Sequence, residues 1–191
     1  MVIGATPETD LQIMQTAHEF YKDYKLKRVY YSGYIPINAT DSMLPQIGTT
    51  PPLVRENRLY QTDWLLRFYG FSHEILNTKH QQLELDIDPK LAWALRNPQF
   101  FPIDINTADY SLIIRVPGIG RQSAKKIVQA RQYGKLKEYQ LRKLGIAFNR
   151  AKYFMICLDT VISAGFHYPE QIRNLFLDIS PVPNQTAFKR S

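Results

Sequence analysis

Apolar positions along this chain follow two rhythms, and the switches between them outline its elements. Val2 to Ala5 is a short apolar run that stops at a glycine-flanked turn, which predicts a strand. Thr6-Pro7-Glu8 then reads as a helix start, with a capping hydroxyl, proline at the first helical position and an acid in the first turn. Leu11, Met14, Ala17, Phe20 and Tyr21 keep helical spacing after it, and Arg28 to Ile37, rich in β-branched and aromatic residues, predicts a second strand. Two parallel strands joined by one crossover do not make a stable sheet alone, so this β-α-β unit reads as incomplete.

Asn38 to Pro52 carries three prolines and several turn residues and is expected to be a loop. Leu53 to Phe71 predicts a helix whose apolar face comprises Leu59, Tyr60, Trp64, Leu65, Phe68 and Tyr69, with Gly70 at its C-terminus. Ser72 is expected to cap a short helix, and Asp88-Pro89 to begin another that passes through Trp93 and ends at Asn97-Pro98. After Pro181 no apolar periodicity remains, and a frayed tail is expected. The fold class is therefore α+β and mostly α. Four segments follow: 1–52, the β-α-β unit with its loop; 53–101, connecting helices; 102–158, described next; and 159–191, a C-terminal helix and tail.

Shifting the sequence by 27 residues aligns RVPGIGRQSAK, Arg115 to Lys125, with RKLGIAFNRAK, Arg142 to Lys152. The identities are Arg115/Arg142, Gly118/Gly145, Ile119/Ile146, Ala124/Ala151 and Lys125/Lys152, as a duplicated helix, hairpin and helix would give. In the first copy Ala108 to Val116 predicts a helix with Leu112, Ile113 and Val116 inward and Asn106 or Thr107 as its cap; Pro117 stops it. Pro117-Gly118-Ile119-Gly120 is the hairpin, with Ile119 as a plug between helices. Ser123 to Tyr133 is the second helix, and Ala124 allows it to pack closely.

Charge gives the repeat a function. The formal charge is +7, yet between Arg115 and Lys152 eleven basic residues face one acid, Glu138, so this segment carries +10 and the rest −3. A localised positive block is the footprint of a polyanion binder. A glycine hairpin opening onto a helix N-terminus also presents unpaired N–H donors at the positive end of the helix dipole, which suits a phosphate oxygen. The candidate contacts in the first copy are the backbone of Gly118, Ile119 and Gly120, the donors Arg121 and Ser123, and the charges of Lys125 and Lys126. In the second copy they are Gly145, Ile146, Arg150 and Lys152. There Leu144 and Ala147 replace the proline and the second glycine, so that copy is expected to grip more weakly or to be structural. No side chain is evidently placed to read bases, so binding is expected to be sequence-neutral.

Other chemistry is thin. His18, His73, His80 and His167 are scattered without metal-like spacing. Tyr30, Tyr31 and Tyr34 suit either base stacking or a half-buried strand. The lone Cys157 excludes an internal disulfide, the N-terminus shows no export signal, and no apolar run reaches the ~18 residues of a membrane span, so a cytoplasmic location is expected.

INTADYSLIIRVPGIGRQSAKKIVQAR resembles the helix-hairpin-helix motif of DNA repair and processing proteins, in which hairpin amides contact phosphates, sometimes through a monovalent cation. VIGATPETD, KRVYYSGYIPI, PPLVRENRLYQTDWLLRFYGF, DPKLAWALRNPQFFPIDIN and RVPGIG together are similar to the C-terminal half of DNA modification or repair radical-SAM proteins, over about Val2 to Cys157. That resemblance implies a catalytic half upstream, which holds a 4Fe–4S cluster through three cysteines and uses S-adenosylmethionine. Cys157 alone cannot supply those ligands, so no catalysis is expected of this chain by itself. It also implies that the β-α-β unit is the last part of a partial α/β barrel, and that the partners are duplex DNA and, where the enzyme is split, the radical-SAM half as a separate chain. The competing readings are a protein-interaction module that docks that half and, more remotely, a helix-hairpin-helix glycosylase. Against the glycosylase, Gln122 stands where its catalytic lysine would be, and Lys137 to Leu141 holds no aspartate.

Overall fold

A computed structural model describes residues 1–37, 43–45, 52–72, 75–76, 81–160 and 169–179. The chain divides into two compact units, Met1–Trp93 and Ala94–Ser191. Helices dominate both, and the strands are short, so the fold is α+β and mostly α.

In the first unit, β1 (Val2–Ile3) pairs in parallel with β2 (Ser32–Gly33), Val2 opposite Ser32 and Ile3 opposite Gly33. Between them, α1 spans Asp10–Lys22. Its cap is Thr9, three residues beyond the expected Thr6. The Thr9 N–H donates to Gln12 Oε1 at 2.9 Å and the Gln12 N–H to Thr9 Oγ1 at 3.3 Å, a reciprocal box that satisfies two otherwise orphaned donors. Thr6 instead turns its hydroxyl to the Glu8 carboxylate. The buried face of α1 is Ile13, Met14 and Ala17.

β2 is much shorter than the expected Arg28–Ile37 strand because side chains, not a neighbouring strand, take up its outer backbone groups. The Tyr31 N–H donates to Tyr60 Oη at 2.9 Å and the Gly33 N–H to Glu56 Oε2 at 2.7 Å. Both acceptors sit on α2 (Leu53–Phe68), which thus lies along that edge. Leu59 and Leu65 of α2 are buried, but so are Thr62 and Asp63, while Trp64 is 53% exposed and rests on Phe68 with ring centres 4.4 Å apart. The expected apolar face is corrected at Trp64: the buried stripe runs through Asp63, whose carboxylate has partners to justify its burial. Gly70 follows with φ +69°, a left-handed C-terminal position where a glycine avoids the Cβ penalty.

A second buried carboxylate, Asp10, is ion-paired with Arg55 Nε at 2.7 Å and accepts the Leu83 N–H at 2.7 Å. Helix α3 (Pro89–Arg96) begins as its sequence predicts, with Asp88 Oδ1 accepting the Leu91 N–H at 3.1 Å. The helix expected after Ser72 falls largely outside the described residues, as do the loop 38–52 apart from 43–45 and 52, and the tail beyond 179.

The second unit continues through β3 (Ile103–Asp104), α4 (Tyr110–Ile113), α5 (Arg121–Ala130), α6 (Glu138–Lys143), α7 (Phe148–Ala151), β4 (Met155–Ile156) and α8 (Pro169–Ile179). Its core is small and continuous: Ile105, Ile113, Val116, Ile119, Ala124, Ile127, Leu141 and Ala151 are all essentially inaccessible.

Candidate nucleic-acid interface

β3 and β4 pair in parallel, Ile103 opposite Met155 and Asp104 opposite Ile156, and so tie together the two ends of the repeat. Asp104 shapes the turn that follows: its carboxylate accepts the Asn106 N–H at 2.9 Å and the Thr107 hydroxyl at 3.0 Å. Neither Asn106 nor Thr107 is therefore the cap of α4; that position is Asp109. Asn106 instead bridges to a distant segment, accepting the Leu136 N–H at 2.7 Å and donating to the Leu136 carbonyl at 3.3 Å. Within α4 and its following turn the inward residues are Ile113, Ile114 and Val116, whereas Leu112 faces out, contrary to expectation.

The chain reverses at Pro117 and Gly118. Gly118 has φ +89°, and Ile119, buried to 1% exposure, closes the turn by donating its N–H to the Val116 carbonyl at 3.1 Å. Gly120 is the N-cap of α5, with φ −88° and ψ 170°, and no side chain caps it. Helical geometry leaves the first amides of α5 without intrahelical acceptors, pointing outward along the axis with the positive end of the dipole. Arg121 is half-buried at the first helical position, and Gln122 beside it is exposed. Lys125 and Lys126 are exposed about one turn further along the same helix.

The second hairpin is built against the first. Gly145 has φ +78°, and Ile146 is buried beneath it, as Ile119 is beneath the first turn. The Ala147 N–H donates to the Gly118 carbonyl at 3.0 Å, and the Ser123 hydroxyl to the Gly145 carbonyl at 2.9 Å. A Cβ at Gly118 would lie 2.7 Å from the Ala147 carbonyl oxygen, so the close approach of the two backbones requires glycine there.

This interlock sorts the predicted site residues. Gly118, Gly120, Arg121, Lys125 and Lys126 are gathered at or near the start of α5. Ser123 is buried, with its hydroxyl bonded to the neighbouring hairpin, which makes it a packing group in this structure. Ile119 and Ile146 are plugs. Arg150 lies over the Phe176 ring at 5.3 Å, and its Cβ borders Gly118. Lys152 is exposed, but α7, which precedes it, is a single turn of four residues and presents no helix N-terminus comparable with that of α5.

Glu138, the acid of the basic block, opens α6 and pairs with Arg142 at 2.6 Å. Asp159 Oδ1 accepts the Glu138 N–H at 2.9 Å, and that bond holds the Asp159 carboxyl below its ordinary range. Cys157 meets the same carboxylate at 3.2 Å; burial pushes its thiol up, away from reactivity. His18 is exposed, and His73, His80 and His167 lie outside the described residues. Among the described residues no three His, Cys, Asp or Glu side chains are grouped to hold a metal, and no helix is long and apolar enough to cross a membrane.

Helix, glycine turn with a buried isoleucine, and second helix without a side-chain cap together define the local architecture. Residues 99–143 match the helix-hairpin-helix motif. The match starts in the turn before β3 and ends with α6, so it contains the first hairpin whole and stops short of the second. Comparisons with curated proteins and with solved structures find no match.

Proposed function

We propose that this chain binds duplex DNA through its phosphate backbone, without reading bases, at the hairpin of Gly118 to Gly120 and the first turns of α5. What carries this reading is the N-terminus of α5: it has no side-chain cap, a glycine turn opens it, and it lies in a segment with eleven basic residues and one acid. Outward amides and the helix dipole favour an anion, Arg121 supplies a donor, and Lys125 and Lys126 add charge one turn away. The second hairpin acts as the brace that fixes the first, since Ala147 and Ser123 bond across the pair.

Support for placing this clamp within a DNA repair or modification radical-SAM system, with a separate catalytic half as partner, is the sequence resemblance over Val2 to Cys157. A 4Fe–4S cluster would need the three cysteines of that half, since Cys157 is the one cysteine in this sequence. A monovalent cation at the hairpin is compatible with this reading, because the Val116 carbonyl keeps a second lone pair beside the one that accepts the Ile119 N–H.

The test is fluorescence anisotropy of the purified chain with a labelled duplex of random sequence at several salt concentrations, beside Gly120→Asp. The backbone angles at Gly120 are ordinary for any residue, so the variant is expected to fold while placing a negative charge at the anion site. Log affinity should fall with log salt by about 0.9 for each phosphate contacted, and Gly120→Asp should abolish binding. Equal binding by both proteins would exclude the hairpin as the clamp.

A further inference from the structure

We infer that the end of α1 and the loop joining it to β2, Lys22 to Tyr30 in the first unit, form a second nucleic-acid site, selective for unpaired DNA. Residues 22 to 28 are all exposed, and four of them, Lys22, Lys25, Lys27 and Arg28, are basic against the single acid Asp23. Two aromatic rings stand out of the same stretch, Tyr24 at 72% exposure and Tyr30 at 65%. Arg28 carries its guanidinium 4.9 Å from the centre of the Tyr30 ring, which sets a cation against an aromatic face.

The loop is held by the buried Asp63 cluster. The Tyr21 hydroxyl donates to Asp63 Oδ1 at 2.7 Å and accepts the Val29 N–H at 3.1 Å. Arg67 pairs with Asp63 Oδ2 at 3.3 Å through one nitrogen and donates to the Lys27 carbonyl at 2.5 Å through the other. The Leu26 N–H donates to the Phe20 carbonyl at 3.2 Å. The backbone at 26, 27 and 29 is thus pinned from inside while the side chains of 22 to 28 and Tyr30 face solvent. A pre-ordered display of rings and cations lowers the entropy lost on binding.

Tyrosine faces interleaved with lysines suit single-stranded nucleic acid: the rings stack on bases of any identity and the cations meet the backbone. Paired bases inside a duplex already stack on both faces, so this loop needs a base that is unpaired. The pattern favours nucleic acid over a lipid surface, since the exposed rings are tyrosines and Leu26 is the one exposed aliphatic residue among residues 22 to 28. The site stands independently of the hairpin clamp, and the two readings fail separately.

The experiment measures binding of the full chain to a fluorescein-labelled oligothymidylate and, separately, to duplex. It compares the Tyr24→Ala/Tyr30→Ala, Tyr24→Phe/Tyr30→Phe and Lys25→Glu/Lys27→Glu double variants, all in the Gly120→Asp background. The alanine pair should weaken oligothymidylate binding about tenfold or more while the phenylalanine pair, which keeps the rings, stays near the parent. The glutamate pair should weaken it too and reduce the steepness of its salt dependence by about 1.4, at ~0.7 per single-strand phosphate. Oligothymidylate binding that is absent from the parent, or equal in the alanine pair, overturns the proposal. So does a loss that phenylalanine does not rescue, or tighter binding to phosphatidylserine vesicles that alanine abolishes. Duplex binding with and without Gly120→Asp reports on the hairpin alone.

Discussion

The Ala147 N–H donates to the Gly118 carbonyl at 3.0 Å, so the two hairpins are joined backbone to backbone. The position that a Cβ of residue 118 would take lies 2.7 Å from the Ala147 carbonyl oxygen and 3.2 Å from the Ala151 nitrogen, and neither of these backbone atoms can swing aside. Gly118→Ala should therefore destabilise the second unit by about 3 kcal/mol, from a left-handed backbone carrying a side chain plus an overpacked contact. Gly145→Ala is the control. Its φ is also positive, +78°, but its nearest neighbour would be Ser123 Oγ at an ordinary 3.8 Å, so only the backbone penalty of about 1 kcal/mol is expected. Urea unfolding of both variants checks the difference; equal losses would mean the hairpins do not interlock as described.

Stability and DNA binding should separate along α5. Ser123→Ala removes the bond to the Gly145 carbonyl and should cost about 1 kcal/mol of stability while leaving the salt dependence of duplex binding unchanged. Lys125→Gln and Lys126→Gln should do the reverse: unfolding stays near that of the parent, and each change reduces the steepness of the log–log salt dependence by about 0.9 if that lysine meets one phosphate. Denaturation midpoints and anisotropy titrations on the same preparations measure both. A Ser123→Ala protein that is fully stable but binds weakly would reassign that hydroxyl to the DNA.

How much of this was legible in the sequence depends on the range of the interactions. The hairpin glycines and isoleucines announce themselves, because a positive φ and a plug between two helices are needs of a few adjacent residues, and the 27-residue repeat shows them twice. Asp88-Pro89 was equally readable as a helix start. The helix start expected at Thr6-Pro7 lies three residues too early, because the reciprocal Thr9–Gln12 bonds fix the start of α1. The α2 stripe misleads at Trp64 because burial of the polar Asp63 depends on Tyr21, Tyr31 and Arg67, and the first two lie more than thirty residues away in the chain. β3 and β4 are two residues each, too short for any alternation, and pair across the whole repeat. Ser123 is expected as a phosphate donor from its place in the first turn, whereas its bond to the Gly145 carbonyl depends on the second hairpin, an arrangement in space that helical spacing does not encode.

Asp10 and Arg55 offer a test of the first unit's framework. Asp10 is 1% exposed, and its two oxygens are met by Arg55 at 2.7 Å and by the Leu83 N–H at 2.7 Å. Removing the cation alone strands a buried carboxylate, so Arg55→Ala should cost about 3 kcal/mol or more. Asp10→Asn, which keeps an acceptor for Leu83, should cost less. Thermal unfolding of the two variants decides the order; a smaller loss for Arg55→Ala would mean that Asp10 is effectively solvated.

The tyrosines around Asp63 should make the first unit fail in alkali. Burial, followed by the charge of Asp63, holds the Tyr31 hydroxyl protonated far above the ordinary value near 10, and burial with the Asp63 bond raises Tyr21 as well. A folded-state value above the unfolded one favours the neutral phenol in the native protein, so its stabilising contribution is complete below about pH 10. Above that pH the unfolded chain ionises these tyrosines and the folded chain resists. Stability should then fall by up to about 1.4 kcal/mol per pH unit for each tyrosine that stays protonated in the fold. Tyr31→Phe removes one such group and gives up only a 3.4 Å bond to Asp63, so its loss of melting temperature between pH 9 and pH 11 should be shallower than that of the parent. Parallel curves for the two proteins would show that Tyr31 ionises as readily in the folded chain as in the unfolded one, which its burial against Asp63 does not allow.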